Sequence, residues 1–238
     1  MRLRNFYPSH TEQVCHVFGN QVITGNQNIH EQIVVPLLTN NHPNALRMQC
    51  TWNKLYRTEL IRAHQIRFPD LLRAEDLMFN IEFFKYAESV AFTDQCLYLY
   101  DRTTLGTLSK SLPPNGFDCS LWIQRRRSEL FPELFPAEDL IVNTLNIQKA
   151  ELLQHADCLG MKGYAAYAGR IFRHPQLRHA YETLETVPKQ YRFPKKCVLE
   201  GREKRYLLWC FWIAKTKFVK HALRPAYRLA KRLLGRSE

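Results

Sequence analysis

Two acidic residues, Glu75 and Asp76, open an apolar run, Leu77-Met78-Phe79-Asn80-Ile81-Glu82-Phe83-Phe84, and segments rich in β-branched and aromatic residues follow at Val90-Ala91-Phe92-Thr93 and Cys96-Leu97-Tyr98-Leu99-Tyr100. Acids in a first turn complement the helix dipole, and the apolar spacing is helical, so a helix is predicted over Glu75 to Glu88. The segments after it have the composition of strands. Together they make a helix–strand unit that leans on a sheet. Upstream, Lys54 to Ala63 reads as a helix that places Leu55 and Tyr56 in the core, and Ile66-Arg67-Phe68-Pro69 as an extended piece closed by proline. Before that, a short extended piece leads into a helix over Ile29 to Leu38, with Asn28 as cap, Glu31 in the first turn, and Ile33, Val34, Leu37 and Leu38 on one face. Past the turn-rich Pro113-Pro114-Asn115-Gly116, apolar residues recur at helical spacing up to about Val187. The fold class expected is α+β, mostly helical, with breaks that divide the chain into residues 1–112, 113–200 and 201–238.

Charge is distributed unevenly. Of the formal net charge of +12, the segment 201–238 carries +9, from eleven Lys and Arg against Glu203 and Glu238, which leaves +3 for the preceding 200 residues. A nearly balanced body with a basic tail suits docking on an anionic surface more than gripping a duplex, and no nucleic-acid module accompanies the bases, so no nucleic-acid partner is expected. The tail also holds Tyr206-Leu207-Leu208-Trp209-Cys210-Phe211-Trp212-Ile213-Ala214. That stretch is far shorter than the ~20 residues a bilayer span requires. Tryptophans beside lysines and arginines suit the headgroup region, and the expectation is a peripheral attachment. A helix packed on the body with an exposed basic face is the alternative. Seven widely spaced cysteines without a CxxC pair, and no secretory signal, point to reduced thiols and a cytoplasmic location.

The elements Trp52-Asn53-Lys54-Leu55-Tyr56-Arg57, Ile66-Arg67-Phe68-Pro69, Ala74-Glu75-Asp76-Leu77-Met78-Phe79-Asn80 and Leu97-Tyr98-Leu99-Tyr100 occur in that order. In order and spacing they resemble the bacterial family 2 glycosyltransferases that build capsule, lipooligosaccharide or teichoic acid glycans. The resemblance implies a partial GT-A-like fold in residues 1–112, on the acceptor side of the enzyme. It implies inverting transfer of a sugar from a nucleotide sugar to a glycan or lipid-linked acceptor. Asp76 is then the base that takes the acceptor proton, and Glu75 holds the acceptor or orients Asp76. Trp52, Lys54 and Arg57 become the substrate-binding residues. After Tyr100 the sequence Asp101-Arg102-Thr103-Thr104 departs from the family pattern, in which an arginine often follows directly.

Donor binding in that family uses an amino-terminal Rossmann-like region and a DxD motif that holds Mg²⁺ or Mn²⁺. No two aspartates of this chain stand two apart, and no glycine-rich phosphate loop occurs. The expectation is a truncated chain without its own metal or cofactor, lacking roughly 90 to 120 residues of donor domain, with a donor-domain chain as the partner this implies. The alternative is a non-catalytic membrane-surface or interaction fragment. Taken as residues alone, Glu75 and Asp76 are simply favourable first-turn acids, and Ala137-Glu138-Asp139-Leu140 repeats the same four letters outside the motif context, where it reads as a helix start. His155 and Cys158 share a helix face at metal-compatible spacing but lack a second ligand pair, so a structural role is expected.

Overall fold

In the computed structural model, which describes residues 2–6, 11–14, 19–39, 48–93, 95–101, 114–156 and 159–215, the chain divides into two units, Met1–Pro113 and Pro114–Glu238. It is an α+β protein and mostly helical. In the first unit, β1 (Arg2–Phe6) lies between β2 (Thr11–Val14), its antiparallel neighbour, and β5 (Cys96–Asp101), which runs parallel to it. Parallel neighbours require a crossover, and the chain between β1 and β5 contains the helices that supply it. A second, two-stranded sheet pairs β3 (Val22–Thr24) antiparallel with β4 (Ser89–Ala91).

Helix α1 starts at Asn26–Ile29, continues through a π-helical stretch, His30–Val34, and ends as Val35–Thr39. Pro36 explains the widened turn: its ring would meet the carbonyl of Gln32 in a regular α-helix, and it has no N–H to give. The face expected from sequence, Ile33, Val34, Leu37 and Leu38, is buried together with Ile29. The expected cap is displaced. Gly25, at φ 88, precedes the helix, and Asn28 lies inside it, donating to the Thr24 carbonyl at 2.8 Å. Asn26 instead ties the helix start to the far end of α3 (Glu75–Tyr86), through bonds to the carbonyls of Lys85 and Ala87. Helix α3 buries Leu77, Met78, Phe79, Ile81, Phe83 and Phe84 and packs on α1, each large side chain contributing about 1.5–3 kcal/mol.

Between them, α2 covers only Thr58–Ala63. The helix expected from Lys54 is therefore shorter at its start, because Thr51 and Tyr56 give their side chains to contacts with α3 and the chain between them takes up a turn and an extended strip. Leu55, expected in the core, is fully exposed, whereas Tyr56 is packed edge-on against Phe79 and Phe83.

The second unit is helical throughout: α4 (Gly116–Leu130), α5 (Asp139–His155), α6 (Met161–Arg173), α7 (Pro175–Thr183), α8 (Lys189–Leu199) and α9, described over residues 203–215. Helix α5 presents Thr144, Gln148, Glu151 and His155, one or two turns apart, to the interior, where all four are buried. Such a stripe is tolerable only when satisfied. Gln148 accepts from Tyr181 and donates to the Tyr206 hydroxyl, both at 2.8 Å. Glu151 accepts from Ser120 and Tyr167, both at 2.7 Å, and His155 stacks on Tyr167 with centroids 3.8 Å apart. Around this polar seam pack Phe117, Leu121, Leu145, Leu152, Ile171 and Leu177. Residues 203–215 join the same core through Tyr206, Cys210 and Ile213. They are turned into place by Gly201, at φ 68, with Arg202 N–H reaching the Cys197 carbonyl and Gly201 N–H that of Val198. This is a Schellman ending, in which glycine takes the left-handed position without a Cβ penalty. Residues 216–238 of the basic tail, with Pro225, lie outside the described residues.

Gly116 starts α4 against the Glu151 seam. A Cβ there would stand 2.6 Å from Glu151 Oε2 and 3.2 Å from the Tyr167 hydroxyl. Gly116→Ala is therefore expected to destabilise the second unit by about 1–3 kcal/mol through overpacking, despite the better helix propensity of alanine. Urea unfolding followed by circular dichroism checks this; an unchanged or higher midpoint would show that the seam yields.

Candidate functional site

Ala74, at φ 63, occupies the left-handed region that a residue with a Cβ seldom adopts. That strained turn delivers Glu75 and Asp76 into the first turn of α3. The Asp76 carboxylate is held from the preceding loop. Thr51 donates its hydroxyl to Oδ1 at 2.7 Å and its backbone N–H to Oδ2 at 3.2 Å. One turn on, Asn80 is fully buried and ties three segments together: its amide donates to the Asp76 and Gln49 carbonyls, and its Oδ1 accepts from the Tyr56 hydroxyl at 2.7 Å.

Lys54 closes the cluster. A turn from Thr51 to Lys54, bonded N–H to carbonyl at 3.1 Å, brings its side chain back over the loop, where Nζ donates to the Cys50 carbonyl and to Asn53 Oδ1. Burial pushes its pKa down to about 8, against Cys50 and Asp76, whose charges favour the ammonium form. The same burial, reinforced by the Asp76 charge, pushes the Tyr56 hydroxyl well up. It also raises the Cys50 thiol, with Lys54 opposing and Asp76 adding to the effect.

Of the residues singled out from sequence, the fold thus brings Asp76 and Lys54 into one polar cluster. Glu75 is adjacent and half-buried, and makes no hydrogen bond or ion pair among the described residues. Trp52 is half-buried in the turn between Thr51 and Lys54. Arg57 is exposed, immediately before α2, and its side chain makes no hydrogen bond or ion pair to Asp76 among the described residues. The extended element arrives through Phe68, which stacks on Phe79 of α3 with centroids 4.3 Å apart. Thr51 and Asn80 were not picked out by sequence reasoning. Asn80 had a signal, a lone amide inside an apolar helix one turn after Asp76; Thr51 had none beyond standing next to Trp52.

The cluster does not suit a divalent cation. Its single carboxylate already has both oxygens engaged by Thr51, with an ammonium close by, whereas Mg²⁺ and Mn²⁺ want several free oxygen ligands. Among the described residues no group of three or more His, Cys, Asp or Glu could hold a metal ion. In the second unit, His155 is buried on the Glu151 seam, and Cys158 lies outside the described residues. Asp139, in the repeated four-letter motif, simply opens α5. No helix among the described residues is long and apolar enough to cross a membrane. No family model, curated protein or solved structure matches the chain.

Lys54 gives a test of the cluster's electrostatics. Its folded pKa lies below the unfolded value of 10.5, so the cost of burying the charged form is fully present below about pH 8 and is relieved as pH rises from there towards 10.5. By NMR of ¹³C-labelled lysine, Lys54 is expected to titrate with a midpoint of about 8. Asp76→Asn removes a charge that favours the ammonium and should lower the midpoint further. An ordinary lysine midpoint in the wild type would show that burial does not depress it, and an unchanged or higher midpoint in the variant would show that the Asp76 charge does not support the ammonium.

Proposed function

We propose that this chain is the acceptor-side portion of a family 2 glycosyltransferase, acting in surface polysaccharide synthesis with a nucleotide-sugar-binding portion outside these 238 residues. One observation carries the reading: three motif elements that lie apart in sequence converge on the start of α3. Lys54 and Tyr56 of the first element, with Thr51 immediately before it, surround Asp76 and Asn80 of the third, and Phe68 of the second stacks on the same helix. In this reading the sheet of β1, β2 and β5 and helix α3 belong to a GT-A-like domain.

In the reaction, Asp76 takes the proton of an acceptor hydroxyl as that oxygen forms a bond to the anomeric carbon. The bond from that carbon to the diphosphate breaks on the opposite face, and the nucleoside diphosphate leaves with the electron pair. Thr51 fixes the carboxylate rotamer through its hydroxyl and its backbone N–H. In this reading Glu75, which has no partner among the described residues, holds the acceptor, and Trp52 and Arg57 line its approach. Any Mg²⁺ or Mn²⁺ would act at the diphosphate and be held by the donor-binding portion. The basic tail places the protein at the cytoplasmic face of the cell membrane, where lipid-linked acceptors are found. A second reading, a non-catalytic interaction fragment, is favoured by the engagement of both Asp76 oxygens with Thr51, which gives that residue a sufficient structural role.

Turnover separates the two readings. With a donor-binding domain supplied by fusion or as a partner chain, Asp76→Asn is expected to reduce transfer by about 10²- to 10⁴-fold, the usual contribution of a general base. Asp139→Asn, which changes only a first-turn acid at roughly 1 kcal/mol of stability, should leave transfer within a few-fold. Equal losses from both would reject Asp76 as the base. The chain alone should bind UDP-sugars with a dissociation constant above about 100 µM, weaker than roughly −5.5 kcal/mol, as read by calorimetry.

A further inference from the structure

The face that α8 and α9 turn outward inverts the usual order of a soluble surface. Phe193, Leu208 and Trp212 are 49%, 70% and 64% exposed, and with Arg205 and Trp209 they line a shallow groove between the two helices. The buried sides of the same helices, Tyr191, Cys197, Val198, Tyr206, Cys210 and Ile213, already satisfy the core. The outward aromatics therefore have no packing duty in this unit. Their neighbours are cations at helical spacing. Lys189 and Lys196 stand one turn to either side of Phe193, and Lys204 and Lys215 flank the Leu208–Trp212 pair in the same way. The acids nearby are taken: Glu203 pairs with Arg173, and Glu200 with Arg202 at 2.7 Å. Among the described residues the five cations Lys189, Lys196, Lys204, Arg205 and Lys215 make no ion pair, so the face keeps its positive charge.

We infer that this groove is a membrane-docking surface, which seats Phe193, Leu208 and Trp212 among the headgroups of an anionic bilayer while the flanking lysines and Arg205 meet lipid phosphates. Apolar rings bracketed by long cationic side chains match the interfacial layer, where rings partition below the headgroups and ammonium groups snorkel up to them. Charge complementarity selects a bilayer carrying anionic lipid over a neutral one. The inference rests on the membrane reading of the basic tail, but assigns a defined part of the contact to the folded second unit rather than to residues 216–238.

Binding of the full chain to phosphatidylglycerol–phosphatidylcholine vesicles, by flotation and by tryptophan emission, tests it. The wild type should bind with a blue shift that is absent with pure phosphatidylcholine. Leu208→Ser/Trp212→Ser should bind at least about tenfold more weakly and lose most of the shift. Lys204→Gln/Arg205→Gln should lose about fivefold per charge removed. Both variants change exposed residues, and circular dichroism should show wild-type helix content. A chain ending at residue 215 should retain the blue shift. If that truncation abolishes binding while the groove variants bind like the wild type, the membrane reading stands and the groove assignment is overturned. If the wild type binds neither vesicle, both fall. If the groove variants instead convert a lipid-free dimer to monomer, the face is a self-association surface and the inference is wrong.

Discussion

The first unit depends on a carboxylate that reaches backward. Asp76 sits where a helix favours negative charge, yet its oxygens are spent on Thr51, 25 positions earlier, through a hydroxyl and a backbone N–H. Hydrogen bonds to a charged acceptor contribute about 1.5–3 kcal/mol each when well formed. This clamp sets the loop down on α3. Once it is down, Tyr56 wedges edge-on against Phe79 and Phe83, its hydroxyl meets Asn80, and Lys54 is folded into a position where water no longer supports its charge fully. The low pKa of Lys54 is therefore a result of the clamp, and so is the proximity of the two groups on which the proposed chemistry rests.

The second unit is organised by different physics. Its core is threaded by a polar seam along α5, in which Thr144 and His155 bond within the helix while two members find partners on other helices: Glu151 on α4 and α6, Gln148 on α7 and α9. A seam of this kind adds directionality that apolar packing lacks, because only one arrangement of the helices satisfies every group. It also fixes the rotation of α9, since Tyr206 must point inward to reach Gln148. With Tyr206 inward, Leu208 and Trp212 have to face out. The outward aromatics are thus a consequence of the seam, and the proposed membrane contact uses the face that the core does not need.

Much of the element order was legible from local pattern. The apolar run after Glu75 and Asp76, the strand composition of Cys96–Tyr100 and the helical spacing beyond Asn115 all report burial that repeats with a fixed period. Errors fell where a side chain serves a partner far away. The stretch from Lys54 to Arg57 has helical composition, but Thr51, Lys54 and Tyr56 are drawn to α3, and the helix starts only at Thr58. Leu55 was expected inside by the same pattern and stands in solvent. Asn28 looks like a cap by residue type, but Gly25 supplies the positive φ at which the chain turns into α1.

The sequence by itself determined that the chain forms an α+β region followed by helices, that positive charge gathers at its carboxyl end, and that Glu75 and Asp76 open a buried helix, because these follow from periodicity, composition and first-turn electrostatics among near neighbours. Only the tertiary structure decided that Thr51 grips Asp76, that Lys54 loses part of its basicity beside it, and that Leu208 and Trp212 face outward while Tyr206 faces in. Each of these depends on hydrogen bonds or burial shared between residues tens of positions apart, and no local pattern specifies which of many chemically suitable partners will meet.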